Sequence, residues 1–154
     1  MVQNKPAKAK ILTPILFGIM AFFLVAGWAV FNPLDLSGLT SADPLMHYFG
    51  WEFFRNDSWR FPIGLNPTYS LIPGASIVFS DSIPLFAILF KLLNPLLPEQ
   101  FQYFGIFTLI CFALQGLLGW YLCTLITTKN SFRALGALIF IFSPILIIRV
   151  GLHA

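Results

Sequence analysis

The stretch ILTPILFGIMAFFLVAGWAVF, residues 11–31, decides how the rest of this chain is read. It carries no charge, and as a helix rising 1.5 Å per residue it reaches across a hydrocarbon core about 30 Å thick. Lys5, Lys8 and Lys10 precede it. Basic flanks stay on the cytoplasmic side, so the N-terminus is expected in the cytoplasm and the next segment outside. A cleaved signal peptide has a shorter apolar core that ends at a small-residue site. Here the run ends in Trp28 and Phe31, an aromatic anchor at a membrane interface, which argues for an uncleaved span. Composition agrees: 58% of residues are hydrophobic and 10% charged, well outside the balance of a soluble domain.

Residues 103–127 form a second uncharged run, with Gln115 at its middle and Gly116 and Gly119 beside it. Small residues let a second helix approach closely, and a mid-membrane amide needs a partner, so helix packing is the expected role of this group. Cys111 and Cys123 lie about 18 Å apart along that helix and can neither pair nor share a metal. A third run, residues 132–148, opens with Ser131 as a candidate cap and is interrupted by Pro144, which has no N–H for a continuous helix. The span is expected to end or kink there, leaving Arg149 and His153 near the membrane surface.

Residues 83–97 are shorter, hold Lys91 centrally and suit an interfacial or re-entrant helix as well as a span. If they do not cross, Lys129 and Arg133 fall on the cytoplasmic side, as the charge rule prefers, and Arg149 and His153 emerge outside with the loop. If they do cross, these assignments reverse. Charge placement favours the non-crossing arrangement, in which Lys91 snorkels from a short helix.

Between the first apolar run and the short segment 83–97, residues 32–82 carry five of the six acidic residues, so any chemistry is expected there. Asp43-Pro44 reads as a helix start, with Asp capping free amides and Pro at the first helical position. The helix is expected over 43–55. Asp43, His47, Trp51 and Arg55 recur every four residues on one face, while Leu45, Met46, Phe49 and Phe53 make an apolar side. That pattern predicts a helix lying in the interface with its polar face toward water. Asp43 is then either a cap or a carboxylate held at the membrane edge as a general base, with His47 one turn away to tune it. Asp81, just before the apolar run that starts at Ile83, is a second helix-start acid, again a cap or a weak candidate for chemistry. Residues 59–74 are rich in turn signals, yet too apolar for a solvated linker.

There is no His/Cys cluster at metal spacing, no Gly-rich phosphate loop, no nucleophile motif and no internal repeat. No cofactor is evident, and nothing in the residues supports a divalent metal. The basic residues sit at the N-terminus and at span ends, which speaks for topology and anionic lipid and against a nucleic-acid partner.

The segments DPLMHYFGWEFFR (43–55), PIGLNP (62–67), SDSIPL (80–85) and FQYFG (101–105) resemble the N-terminal part of a bacterial polytopic membrane family of uncharacterised function. The layout of that family is similar to the GT-C glycosyltransferases, which use polyprenyl-phosphate sugars. The resemblance implies a catalytic acid in the first extracytoplasmic loop, where Asp43 stands, deprotonating an acceptor hydroxyl as the lipid phosphate departs. It implies basic groups that bind the lipid-linked phosphate, with Arg149, His153 and Arg55 as candidates. The paired adjacent acids usual in that loop are absent, because Pro44 follows Asp43, which bears on both catalysis and metal dependence.

The expectation is therefore an all-α integral membrane protein of the bacterial inner membrane. It has a cytoplasmic basic tail (1–10), apolar helices at about 11–31, 83–97 (short), 103–127 and 132–148, and a partly helical extracytoplasmic loop. GT-C proteins carry many more spans, so the chain is read as the first portion of a longer enzyme, its partners the bilayer, a polyprenyl-phosphate sugar and a C-terminal portion or partner subunit. Two other classes stay open. A small non-catalytic subunit or scaffold would tolerate Asn at Asp43 and Asp81, and a transporter fragment would rely on Lys91 and Gln115.

Overall fold

The computed structural model describes residues 9–39, 42–69 and 75–152. Among these the regular structure is helical, with one isolated antiparallel bridge between Leu65 and Ser76. The chain divides into two compact units, one made of Met1–Asn32 with Phe104–Ala154 and the other of Pro33–Tyr103.

In the first unit, the apolar run that opens the chain makes two helices, α1 (Ala9–Val25) and α2 (Gly27–Phe31). This corrects the expected single span over 11–31. Gly27 sits at φ 76°, a left-handed conformation that a glycine adopts at no steric cost and that ends α1 at Val25. The apolar part of α1, Ile11–Val25, is by itself shorter than a span. Helix α5 (Phe104–Cys123) is long and apolar enough to cross a membrane, matching the expectation for 103–127.

Helix α5 is the centre of this unit, packed along both α1 and α6 (Asn130–Ile141). Its Gly116 lies against the carbonyl of Pro14 on α1, where a Cβ would collide with backbone. Ala21, Phe22, Phe112 and Ile141 close the core, with the rings of Phe22 and Phe112 edge to face at 5.9 Å. Helix α7 (Pro144–Leu152) follows α6, and the two are bent by 45°, as Pro144 predicted. In an unbroken helix the Phe140 carbonyl would accept the N–H of residue 144, which proline lacks. It accepts instead the Ser143 N–H at 3.2 Å and the Gln115 side-chain amide at 3.3 Å. Ser131 does not cap α6, which begins one residue earlier behind Lys129 with no side-chain cap.

The second unit is built on α3 (Ala42–Asn56), close to the expected 43–55, and on α4 (Pro84–Leu92). Short 3-10 turns lie at Ser37–Leu39, Ile77–Ser80 and Asn94–Leu96, so the expected short helix over 83–97 is α4 plus a turn. The two ends of the unit are joined where the Gln102 N–H donates to the Pro33 carbonyl at 2.8 Å. Pro44, His47, Tyr48, Trp51, Phe54 and Arg55 are buried, the 3–4 spacing of a helix stripe turned inward. The Tyr103 ring seals this core, edge-on to Trp51 at 5.0 Å and stacked on Phe90 at 5.3 Å.

Candidate functional site

The face of α3 expected to look at water is mostly the one that is packed. Asp43, in the first turn, is exposed, but His47 is 9% exposed, Arg55 6% and Trp51 fully buried. The reason is that each of these polar side chains finds an internal acceptor, which removes the cost of leaving water. The Trp51 indole donates to the Phe101 carbonyl at 2.9 Å. Arg55 spreads its guanidinium over three groups: Nε donates to Asn94 Oδ1 at 2.8 Å, Nη2 to the Pro98 carbonyl at 2.9 Å and Nη1 to the Glu99 carbonyl at 3.1 Å. Asn94 returns a bond from its amide to the Arg55 carbonyl at 3.1 Å. Arg55 therefore pins α3 to the turn after α4, and a phosphate would have to displace those acceptors to reach it.

His47 Nδ1 lies 2.9 Å from the Ser80 carbonyl. A carbonyl can only accept, so Nδ1 carries the hydrogen. Ser82 Oγ donates to the His47 carbonyl at 2.6 Å, Ser80 and Ser82 hydroxyls meet at 2.8 Å, and the Tyr103 hydroxyl donates to the Ser82 carbonyl. Gly50 makes room for this cluster, since a Cβ there would strike both serine hydroxyls. The loop between the serines carries Asp81, exposed and at φ 50°, with Ile83 at the same φ. A left-handed β-branched residue costs of order 1–2 kcal/mol, which the buried bonds around Ser82 offset.

Asp81 ends the 3-10 turn at Ile77–Ser80 and does not cap α4, whose N-cap is Ile83 without a side-chain bond. The expectation that Asp81 caps the apolar helix is thus corrected, because the left-handed turn at 81–83 takes its place. Of the sequence-derived candidates, Asp43 and His47 share α3, and the network of His47, Ser80 and Ser82 holds the Asp81 loop against that helix. Arg149 lies exposed on α7 in the other unit, and His153 lies outside the described residues.

Several contributors escaped the sequence reading. Ser80, Ser82 and Tyr103 act through partners 21 to 35 residues away, a separation no local pattern reports. Asn66 is fully buried and donates its amide to the Gly50 carbonyl at 3.0 Å. Burial and the nearby Glu52 charge push the pKa of the Tyr48 hydroxyl up to about 12. On the following loop, Arg60 grips Asp57 through two bonds, at 2.9 and 3.1 Å, and holds that carboxyl below its ordinary range.

Lys91 and Gln115 are both engaged in packing. The Lys91 ammonium donates to the Ser58 carbonyl at 3.4 Å and stands over the Phe54 and Trp59 rings at 4.1 and 4.9 Å. Gln115 bonds the proline-orphaned carbonyl described above. Outside the network, α3 borders two hollows that share Phe53. One, of about 570 Å³, is lined by Met46, Phe49, Phe53 and Tyr69, and the other, of about 330 Å³, by Glu52, Phe53, Asn56, Asp57 and Thr68. Among the described residues no three His, Cys, Asp or Glu side chains converge as a metal site would require.

Comparison with curated proteins and with solved structures returned no match. Residues 15–154 do match one family model, described as Domain of unknown function (DUF6311), and the chain belongs to that family.

Proposed function

We propose that this chain is a multi-pass inner-membrane module of a polyprenyl-phosphate-sugar-dependent glycosyltransferase, with its second unit at the outer face and Asp43 as the catalytic base. The observation that carries this reading is the division of roles along α3. His47, Trp51 and Arg55 are bonded into the fold, and Asp43 lies exposed in the first turn of the same helix. A positioned carboxylate of that kind suits proton abstraction. The resemblance of the loop to GT-C layouts and the span-length helix α5 add to it.

In this reaction Asp43 accepts the proton of an acceptor hydroxyl, and the freed oxygen attacks the anomeric carbon of the donor sugar. The bond from that carbon to the phosphate oxygen breaks, and the polyprenyl phosphate leaves with the electron pair. His47, with Nδ1–H fixed on Ser80, acts as a positioning residue one turn from the base. Arg55 serves the fold and is not offered to a phosphate.

A second reading, a non-catalytic membrane scaffold, is favoured by one observation: Arg55 and Lys91 are committed to internal carbonyls and rings and are not offered to a ligand. Membranes containing the full gene product, supplied with labelled undecaprenyl-phosphate hexoses, separate the two. The enzyme reading expects Asp43→Asn to lose transfer by about 10²–10⁴-fold at unchanged abundance. Transfer that survives the substitution would remove Asp43 from the chemistry and favour the scaffold.

A further inference from the structure

The two hollows beside α3 meet at Phe53, and the residues described around them come from that helix and from Thr68 and Tyr69, all within the second unit. More exposed apolar residues of the same unit, such as Phe61 and Phe79, line neither hollow. The smaller hollow, of about 330 Å³, carries four polar residues, and most of them are fixed before any ligand arrives. The Asp57 side chain is 7% exposed and is held by Arg60 and by the Ser58 N–H at 2.8 Å. Asn56 gives both amide hydrogens to Glu52, one to its main-chain carbonyl at 2.9 Å and one to Oε1 at 2.8 Å, so its side-chain oxygen is what it has left to offer. The Thr68 hydroxyl is exposed and has no partner among the described residues. The hollow thus presents chiefly acceptors: two carboxylates and an amide oxygen.

Charge decides among the ligands that could donate to them. Two bare carboxylates would favour an ammonium, but neither is bare: Arg60 grips Asp57, and the Arg55 guanidinium lies 3.8 Å from Glu52. Two acids beside two guanidiniums carry no net charge, so the hollow selects neither a cation nor an anion. Neutral hydroxyls satisfy the acceptors without adding charge. Next to these groups are rings. Phe53 lines both hollows, and the larger, of about 570 Å³, adds Met46, Phe49 and Tyr69, with the Tyr69 ring edge-on to Phe53 at 6.0 Å. A saccharide has the same split character, with hydroxyls around the rim of each ring and apolar C–H groups on its faces, which lie flat on an aromatic side chain. Sites for such ligands are concave and chiefly apolar or aromatic, with a few fixed polar groups that orient the ligand. We propose that the groove along α3 binds a neutral saccharide, one sugar ring seated on Phe53 with its hydroxyls donating to Glu52, Asn56 and Asp57, and the rest of the ligand passing over Phe49 and Tyr69. Met46, in the larger hollow, stands about one helical turn from Asp43, so the bound saccharide extends toward the base. The ligand's role as acceptor rests on the glycosyltransferase reading, whereas its binding does not.

The test is saturation-transfer difference NMR on the full gene product in phosphatidylglycerol nanodiscs. The probes are the methyl glycosides of glucose, galactose, mannose and N-acetylglucosamine, with choline as a cationic comparison. Saturation of at least one glycoside, and none of choline, is the expected result. Phe53 and Thr68 are exposed, and their side chains make none of the hydrogen bonds that hold the unit together. Phe53→Leu and Thr68→Val are each expected to weaken glycoside binding about fivefold, the loss of one stacking or hydrogen-bonding contact. Saturation of no glycoside, saturation of choline in their place, or glycoside binding that neither variant weakens overturns the proposal. In the glycosyl-transfer assay the same two variants should raise the acceptor KM about fivefold with kcat little changed. Glycoside binding that responds to both variants, in a protein whose membranes transfer no sugar, upholds the saccharide groove and overturns only its role as acceptor site.

Discussion

Arg55 shows how a single residue type can be misjudged when only its neighbours in sequence are known. Beside His47 and Asp43 on a helical wheel it belongs to a polar face, and a guanidinium near a membrane suggests a phosphate. Its real partners are Asn94, Pro98 and Glu99, some forty residues on, and they use the planar fork that distinguishes Arg from Lys. Arg55→Lys keeps the charge but cannot reach three acceptors at once. Leaving two of them unpaired in a nearly buried setting is expected to cost about 2 kcal/mol. Thermal unfolding of the variant in detergent should therefore begin well below the wild type. An unchanged midpoint would mean that water already serves those carbonyls. Asp43 is the converse case. Its place near the helix start was plain from Asp-Pro, but α3 begins at Ala42, so Asp43 lies inside the first turn and is not the N-cap expected; the transfer assay tests its catalytic role.

At the scale of elements, helix positions were legible because they follow from apolar length and from proline. Helix α3 was expected over 43–55 and runs Ala42–Asn56, and the break before Pro144 was visible in advance. Two features were not legible. The end of α1 depends on a positive φ at Gly27, and an uncharged run containing a glycine does not reveal whether that freedom is used. The inward turn of the polar stripe on α3 depends on distant carbonyls, whereas helical periodicity reports that two faces differ but not which one meets water. Gln115 illustrates a local reading that held, since its amide serves helix packing at the Phe140 carbonyl. Gln115→Leu removes one donor from a carbonyl that also accepts from Ser143, and is expected to cost about 1 kcal/mol. Gly116→Val instead pushes a branched side chain into the Pro14 backbone, and should cost about 3 kcal/mol by forcing α1 and α5 apart. Paired stability curves for the two variants check the order, which would be reversed if the amide, rather than the close approach, held the helices together.

For the molecule as a whole, the two units are held together by different physics, and this predicts different responses to a solvent that competes for hydrogen bonds. The first unit rests on close backbone approach and on buried rings such as Phe22 and Phe112, within helices that satisfy their own backbone groups. The second rests on side chains donating to carbonyls: Trp51 to Phe101, His47 to Ser80, Arg55 to Pro98 and Glu99, Asn66 to Gly50. Urea solvates amides and weakens such bonds directly, whereas on the proposed membrane reading detergent continues to cover the apolar helices. Trp51 and Trp59 belong to the second unit and Trp28 and Trp120 to the first, so a Trp28→Phe, Trp120→Phe background makes tryptophan emission a reporter of the second unit alone. Trp51 is fully buried, and its emission should shift strongly to the red when the network opens. In a urea titration in micelles this shift is expected at lower denaturant than the loss of far-ultraviolet ellipticity, which the long apolar helices dominate. Coincidence of the two signals would show one cooperative transition, and would mean that the carbonyl network and the glycine-packed helices unfold as a single structure.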